Sequence, residues 1–254
     1  MLMTNNRGEF ITFEGGEGGG KTMQIAHAAS YLKSLGIDVL LLRDPGGTSI
    51  SDQIRSILVD SKNEEIDPMV ELLLYLASRR QLTQEKIEPA LKRGQWVLCD
   101  RYADSTWVYQ GFTKLGTYMG HQDGIVTVRN LNLIAETSAA GIEPNLTVLF
   151  DVPVEIGLGR AKSRASALPE NKREDRFERK ALDFHQKIRD GFLRRAKECV
   201  RIVVVDAQLG LDEVARSVEN ILDSYIAGME LRKSDSYVDG AELRKSWKKE
   251  LGEK

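Results

Sequence analysis

Gly15-Gly16-Glu17-Gly18-Gly19-Gly20-Lys21-Thr22 follows the apolar run Phe10-Ile11-Thr12-Phe13 and precedes a helix-like stretch from Thr22 to Leu35. The segment fits the pattern G-x-x-x-x-G-K-S/T of a phosphate-binding loop, and the strand, loop and helix around it are the context that pattern requires. The spacing has a physical cause. Glycines let the backbone wrap an anion with its N–H groups inward, where a Cβ would intrude. The helix N-terminus adds partial positive charge at the same point. Lys21 brings a mobile full charge for the outer phosphates, and Thr22 offers a hydroxyl to Mg²⁺. An ordinary glycine-rich turn is the alternative. The coincidence of strand, loop and Lys-Thr pair argues against it.

Around that loop the chain reads as alternating strands and helices. Short apolar runs recur at Phe10 to Phe13, Val39 to Leu42, Trp96 to Cys99, Leu146 to Phe150 and Ile202 to Val205. They are nearly continuous rather than alternating, as strands covered on both faces are. Helical patterns separate them, at Thr22 to Leu35, Ser51 to Val59, Pro68 to Arg93, Arg179 to Val200 and Leu211 to Ile226. Gly36 is a stop for the first, and Pro89 is placed to kink or break the third. The expectation is an α/β fold with a five-stranded parallel sheet flanked by helices. The acids Glu14, Asp100, Asp151 and Asp206 close four of the five runs, where parallel sheets line their ligand crevice. Three regions read as irregular: Gly111 to Gly124 as a loop, Lys162 to Arg176 as a mobile charged cover, and the chain beyond Met229 as a charged tail. Residues 1–229 are therefore expected to form one domain and 230–254 the tail.

Composition bounds the function. The chain has 254 residues, 41% of them hydrophobic, which is enough for a sizeable core. Lys plus Arg number 36 against 38 Asp plus Glu, a net charge of −2 that argues against a general nucleic-acid coat. Cys99 and Cys199 lie in or beside apolar runs and read as buried free thiols, which fits a reducing cytoplasm. No apolar stretch reaches the length of a membrane span, and Met1 to Gly8 lacks the apolar core of a secretion signal.

Further side chains gather around the loop motif. Asp100-Arg101 closes a buried strand, so Asp100 is placed to hold Mg²⁺ directly or through water and Arg101 to clamp a phosphate. A structural salt bridge is the alternative. Asp44-Pro45-Gly46-Gly47-Thr48 is a turn signal, and Arg55 on the following helix could reach an acceptor phosphate or simply be exposed. Tyr75 and Arg79 share a helix face and suit a base, although such pairs are more often ordinary packing. Arg160, Lys162, Arg164, Arg173 and Arg176 crowd the cover, as a closing basic lid or a solvated face would. His27, His121 and His185 show no metal spacing and receive no role.

These residues, in order over roughly Phe10 to Ile226, resemble the thymidylate kinase family. The matching pieces are the strand and phosphate loop, the Asp-Pro-Gly-Gly-Thr turn, Tyr75-Leu76-Ala77-Ser78-Arg79, Asp100-Arg101-Tyr102-Ala103-Asp104-Ser105-Thr106, Tyr109-Gln110-Gly111 and Asp175-Arg176-Phe177-Glu178. The resemblance implies a P-loop nucleoside monophosphate kinase fold with a mobile lid near residues 160–177. It implies Mg²⁺-dependent transfer of the γ-phosphate of ATP to dTMP, giving dTDP. It puts Gly15, Gly16, Glu17, Gly18, Gly19, Gly20, Lys21 and Thr22 on the donor, with Thr22 and Asp100 toward the metal. Arg55 and Arg101 fall on the acceptor phosphate, Tyr75 against the thymine ring, Arg79 and Thr106 at its polar edge, and Glu17 and Tyr109 beside the sugar. Asp44, Asp100 and Ser105 complete the acceptor set. Some members carry an arginine inside the loop. This chain has none there and is similar to the bacterial kind whose lid supplies it, so Arg164 leads, with Arg160 and Arg173, as catalytic partners of Lys21 and Arg101. A homodimer in the cytoplasm is implied, with no nucleic-acid or membrane partner. The chain departs from the pattern at Asp44, where Glu is usual, at Met23, and in longer stretches over 111–133 and 165–172. A kinase for another nucleotide or a deoxynucleoside, or a nucleotide-dependent switch protein, are the competing readings; the acceptor-site residues weigh against the switch, while Glu14 and Glu17, as possible bases for a nucleoside hydroxyl, keep the other-acceptor kinase open.

Overall fold

The computed structural model describes residues 7–136, 142–167, 176–177 and 180–234. Five strands form one parallel sheet: β1 (Phe10–Gly15), β2 (Val39–Arg43), β3 (Trp96–Asp100), β4 (Leu146–Asp151) and β5 (Ile202–Asp206), ordered β2-β3-β1-β4-β5. β1 is central and wholly buried, which is why it is apolar at Phe10, Ile11 and Phe13, and why its polar Thr12 and Glu14 are hydrogen-bonded inside. The strand order reverses beside β1, and the loop leaving it therefore opens at the switch point where such sheets bind ligands.

Helix α1 (Lys21–Ser34) and the long C-terminal helix cover one face. There Ile11, Phe13, Leu98, Val148 and Phe150 pack on Ala28, Leu32, Val218 and Leu222. The other face carries α3 (Pro68–Leu82) and its continuation α4 (Glu88–Lys92), with Leu82, Ile87 and Leu91 against Phe10, Val97 and Cys99. Helix α2 (Ser49–Val59) lies on α3, capped by Thr48, whose side chain accepts from Ser51 N. Pro89 does not end the helical path. A wide π-turn over Thr83–Ile87 precedes it and accommodates the missing N–H.

The expected loop over Gly111 to Gly124 is instead helical. After α5 (Ala103–Thr106) a wide helical stretch runs over Trp107–Leu115, followed by α6 (Gly116–Met119) and α7 (His121–Glu136). Of the glycines there, Gly120 (φ 90°) makes the turn between α6 and α7, whereas Gly111 and Gly124 serve close packing. A Cβ on Gly124 would lie 2.4 Å from Gly111 O, and one on Gly111 3.1 Å from Val128 Cγ2. Trp107, Val108 and Tyr109 pack on Ile188 and Phe192 of α9 (Leu182–Glu198), and that apolar face overrides the weak local propensity.

The expected cover begins as helix α8 (Val154–Ser166), and Arg173 lies outside the described residues. Helix α10 (Leu211–Ser234) continues through Met229, so the first residues of the charged tail extend it; the rest lie outside the described residues. Cys99 is buried and Cys199 half-buried, both as free thiols. Among the described residues no helix is long and apolar enough to cross a membrane.

Candidate active site

A cavity of about 1070 Å³ opens over the carboxyl ends of β1, β2 and β3. At one end lies the glycine loop. Gly15 (φ 137°) and Gly18 (φ 70°) need glycine twice over, for their backbone angles and because an added Cβ would sit 2.4 Å from Phe150 O and 1.9 Å from Gly157 O. Gly20 precedes α1 without a side-chain cap, so the helix N-terminus faces the cavity with its donors uncovered.

Lys21 is buried, and its Nζ donates to Gly16 O at 2.8 Å and Gly15 O at 3.1 Å. Burial, with the Arg101 charge beside it, pushes its ammonium down to about 8. Thr22 Oγ1 donates to Asp100 Oδ2 at 3.3 Å, which brings two hard oxygen donors together beside the loop. Of the four acids that close strands, Asp100 alone lines this cavity. Asp151 forms a two-pronged pair with Arg189, Asp206 accepts from Gln208 N, and Glu14 is buried beneath the floor.

Arg101 joins the loop to the opposite wall. Its Nη1 donates to Gly15 O at 2.9 Å and Ser105 Oγ at 3.2 Å, and its Nη2 to Glu17 Oε1 at 2.9 Å. The residue adopts φ 67°, the left-handed region, which costs a non-glycine residue about 1–3 kcal/mol. Glu14 holds that turn. Its carboxylate accepts from Tyr102 N at 2.8 Å, Ser105 N at 3.2 Å and Ser105 Oγ at 2.6 Å. Burial and the neighbouring Asp104 carboxylate push Glu14 up to about 7. Asp104 in turn is clamped by Arg195 and Arg201.

Glu17 accepts from both Arg101 and the Tyr109 hydroxyl, the latter at 3.0 Å. Burial alone would raise its pKa, but Arg101 and Lys21 outweigh it and hold the carboxyl down at about 2. The Tyr109 ring meets Phe177 edge-on at 5.5 Å.

The far end is built on a buried ion pair. Arg79 Nε donates to Asp44 Oδ2 at 2.8 Å, and Nη2 to Tyr102 O at 3.2 Å and Thr106 Oγ1 at 2.5 Å. Asp44 therefore serves Arg79 as well as lining the cavity. Thr106, expected at the base edge, is buried and accepts from the Arg79 guanidinium. Arg55 donates from Nη1 to Pro45 O at 2.9 Å and lines the cavity, as do Tyr75 and Ser105.

Of the basic residues in the expected cover, Arg164 lines the cavity. Arg160 also lines it, with Nη1 on Ala207 O at 2.7 Å and Nη2 on Gln208 O at 3.4 Å. Arg176 is not a solvated charge. It is 1% exposed and bonded to Glu71. Arg43, Val59 and Ala165, to which the sequence assigns no role, also line the cavity. Gln110 and Phe177 line the cavity, and both stood inside quoted motifs without a role. The segment Gln208 to Leu211 also lines it, and no local signal marks that segment.

The geometry agrees with comparison to known proteins. A family model described as thymidylate kinase matches residues 13–218. The thymidylate kinase of Trichlorobacter lovleyi is 47% identical over 219 residues, covering 86% of this chain and 98% of the relative. That of Geobacter sulfurreducens is 47% identical over 217 residues, covering 85% and 96%. Among solved structures, a thymidylate kinase from Ehrlichia chaffeensis matches with a TM-score of 0.63 at 29% identity, over 85% of this chain and 99% of that one.

Proposed function

The chain belongs to the thymidylate kinase family, and from that premise we propose how its residues divide the work. The enzyme transfers the γ-phosphoryl group of ATP to dTMP, forming dTDP and ADP. The acceptor is itself a phosphate with a second pKa near ~6, so its oxygen is anionic at neutral pH and no strong general base is required. That oxygen bonds to the γ-phosphorus as the bond to the bridging oxygen breaks. The protein supplies position and positive charge.

In this reading the glycine loop from Gly15 to Gly20 wraps the donor phosphates with backbone N–H groups, and Lys21 neutralises the outer ones. Arg101 stands where donor and acceptor meet and steadies the group in flight, joined by Arg164. Arg55 reaches the acceptor phosphate. Tyr75 lies on the thymine ring, Arg79 addresses its carbonyl edge, and Glu17 and Tyr109 border the sugar. The observation that carries the proposal is the bond set of Arg101, which ties the loop carbonyl of Gly15 to Glu17 and Ser105 at a single point of one cavity.

Mg²⁺ fits the chain. The Thr22 hydroxyl and Asp100 carboxylate are adjacent hard oxygen donors. When bound, the ion would neutralise charge on the phosphate oxygens; Thr22 and Asp100 would orient it.

Residues 1–229 act as the catalytic domain with a lid near 160–177. The exposed apolar side chains Val70 and Leu73 on α3, and Ile50 and Ile57 on α2, support a homodimer packed through helices. Free thiols at Cys99 and Cys199 support a reducing cytoplasmic setting. A panel of nucleoside monophosphates, supplied with ATP and Mg²⁺ and read by product chromatography, tests the function. Diphosphate should form from dTMP far faster than from the others; no product from dTMP would overturn it.

A further inference from the structure

Glu71 lies on α3 one turn before Tyr75 and is fully buried. It is the hub of a charged cluster behind the acceptor end of the cavity. Its Oε1 accepts from Gln110 Nε2 at 2.8 Å and Lys114 Nζ at 2.6 Å, and its Oε2 from Arg176 Nη2 at 2.7 Å. Arg176 also donates to Leu58 O at 2.8 Å and stands over the Phe177 ring. Burial would favour a neutral Glu71, but Lys114, Gln110 and Arg176 keep it below the usual carboxylate range.

An ionised carboxylate offers acceptors only. It therefore dictates which way the Gln110 amide lies: the NH₂ group must turn to Glu71, and the carbonyl Oε1 is the end left for the cavity that Gln110 lines. The same compartment holds Arg79, which can only donate. A donor and an acceptor lining one cavity match the edge of thymine, with its carbonyl and N3–H. They oppose the edge of cytosine, whose N3 accepts and whose amine donates. We propose that Glu71 is a positioning residue that sets acceptor-base specificity by fixing the amide of Gln110 with its oxygen toward the base. The inference rests on the dTMP kinase reading above.

Glu71→Gln removes the compulsion, because a glutamine can accept or donate and lets the Gln110 amide turn. The experiment measures kcat/KM for dTMP and dCMP, with KM for ATP, in the wild-type protein, Glu71→Gln and Lys114→Arg. Glu71→Gln should lower the dTMP over dCMP preference ~10-fold or more, with KM for ATP within about twofold of wild type. Lys114→Arg perturbs the cluster but keeps a cation beside Glu71, which stays ionised and on Gln110, so its preference should remain that of wild type even if its melting temperature falls. An unchanged preference in folded Glu71→Gln, or an equal loss in Lys114→Arg, overturns the proposal. If Glu71→Gln does not fold, Gln110→Met decides: an intact preference there overturns it, and a ~10-fold loss sustains it. A wild-type protein that leaves dTMP unphosphorylated defeats the functional reading itself, whereas failure of the variants alone defeats only this inference.

Discussion

Arg101 and Glu17 meet at 2.9 Å across the cavity, joining the turn after β3 to the loop after β1. The pair is about four-fifths enclosed on both sides, so its charges are little screened. It also explains why Arg101 keeps φ 67°, since the left-handed backbone directs the guanidinium at Gly15, Glu17 and Ser105 together.

Replacing that guanidinium should therefore damage chemistry more than folding. Arg101→Ala and Lys21→Ala are each expected to cut turnover ~10²-fold or more. Arg101→Lys should recover little, because an ammonium cannot make the forked contacts. Steady-state kinetics with circular dichroism as a folding control checks this; a variant within a few-fold of wild type would remove that residue from the proposed machinery.

Stability should depend on pH through Glu17. Its folded-state carboxyl is held at about 2, against 4.5 for the ordinary group, so the unfolded chain binds more protons between those values. The contribution, roughly 3 kcal/mol, is complete above pH ~4.5 and disappears as pH falls toward ~2. Urea titrations should show the wild type losing roughly 2 kcal/mol of its advantage over Glu17→Gln between pH 5 and pH 3, most of it below pH 4. A constant difference across that range would contradict the assignment.

Gly18 should tolerate no side chain. An alanine Cβ would be placed 1.9 Å from Gly157 O, a backbone atom of α8, at φ 70°. Gly18→Ala is expected to cost about 1–3 kcal/mol through strain and displacement of the loop from α8. A raised KM for ATP should accompany it. Melting curves and ATP titration together check both effects, and an unchanged melting temperature would show that the loop shifts freely.

Much of this was legible in the chain because the signals are local. Five apolar runs became five parallel strands, four of them largely buried because both faces of the sheet are covered, while the edge strand β2 leaves Leu41 exposed. The phosphate loop was legible because its glycines answer to backbone geometry within a few residues. Gly111 and Gly124 misled for the opposite reason: their need for glycine comes from each other's carbonyl and from Val128, contacts that no window of neighbouring residues contains.

Long-range contacts also reassigned side chains. Composition alone marks Arg176 as one more charge of a basic cover, yet Glu71, 105 positions earlier, draws it into the core. Thr106, which the resemblance sets at the base edge, is buried and accepts from the Arg79 guanidinium. Chemistry of the kind, a glycine-cradled phosphate facing an arginine-rich acceptor cleft, follows from residue order, because each motif carries its own backbone logic. The partner each buried charge takes follows from how helices fold over the sheet, because in a low-dielectric interior an ionised group must settle on whichever counter-charge the packing brings within reach.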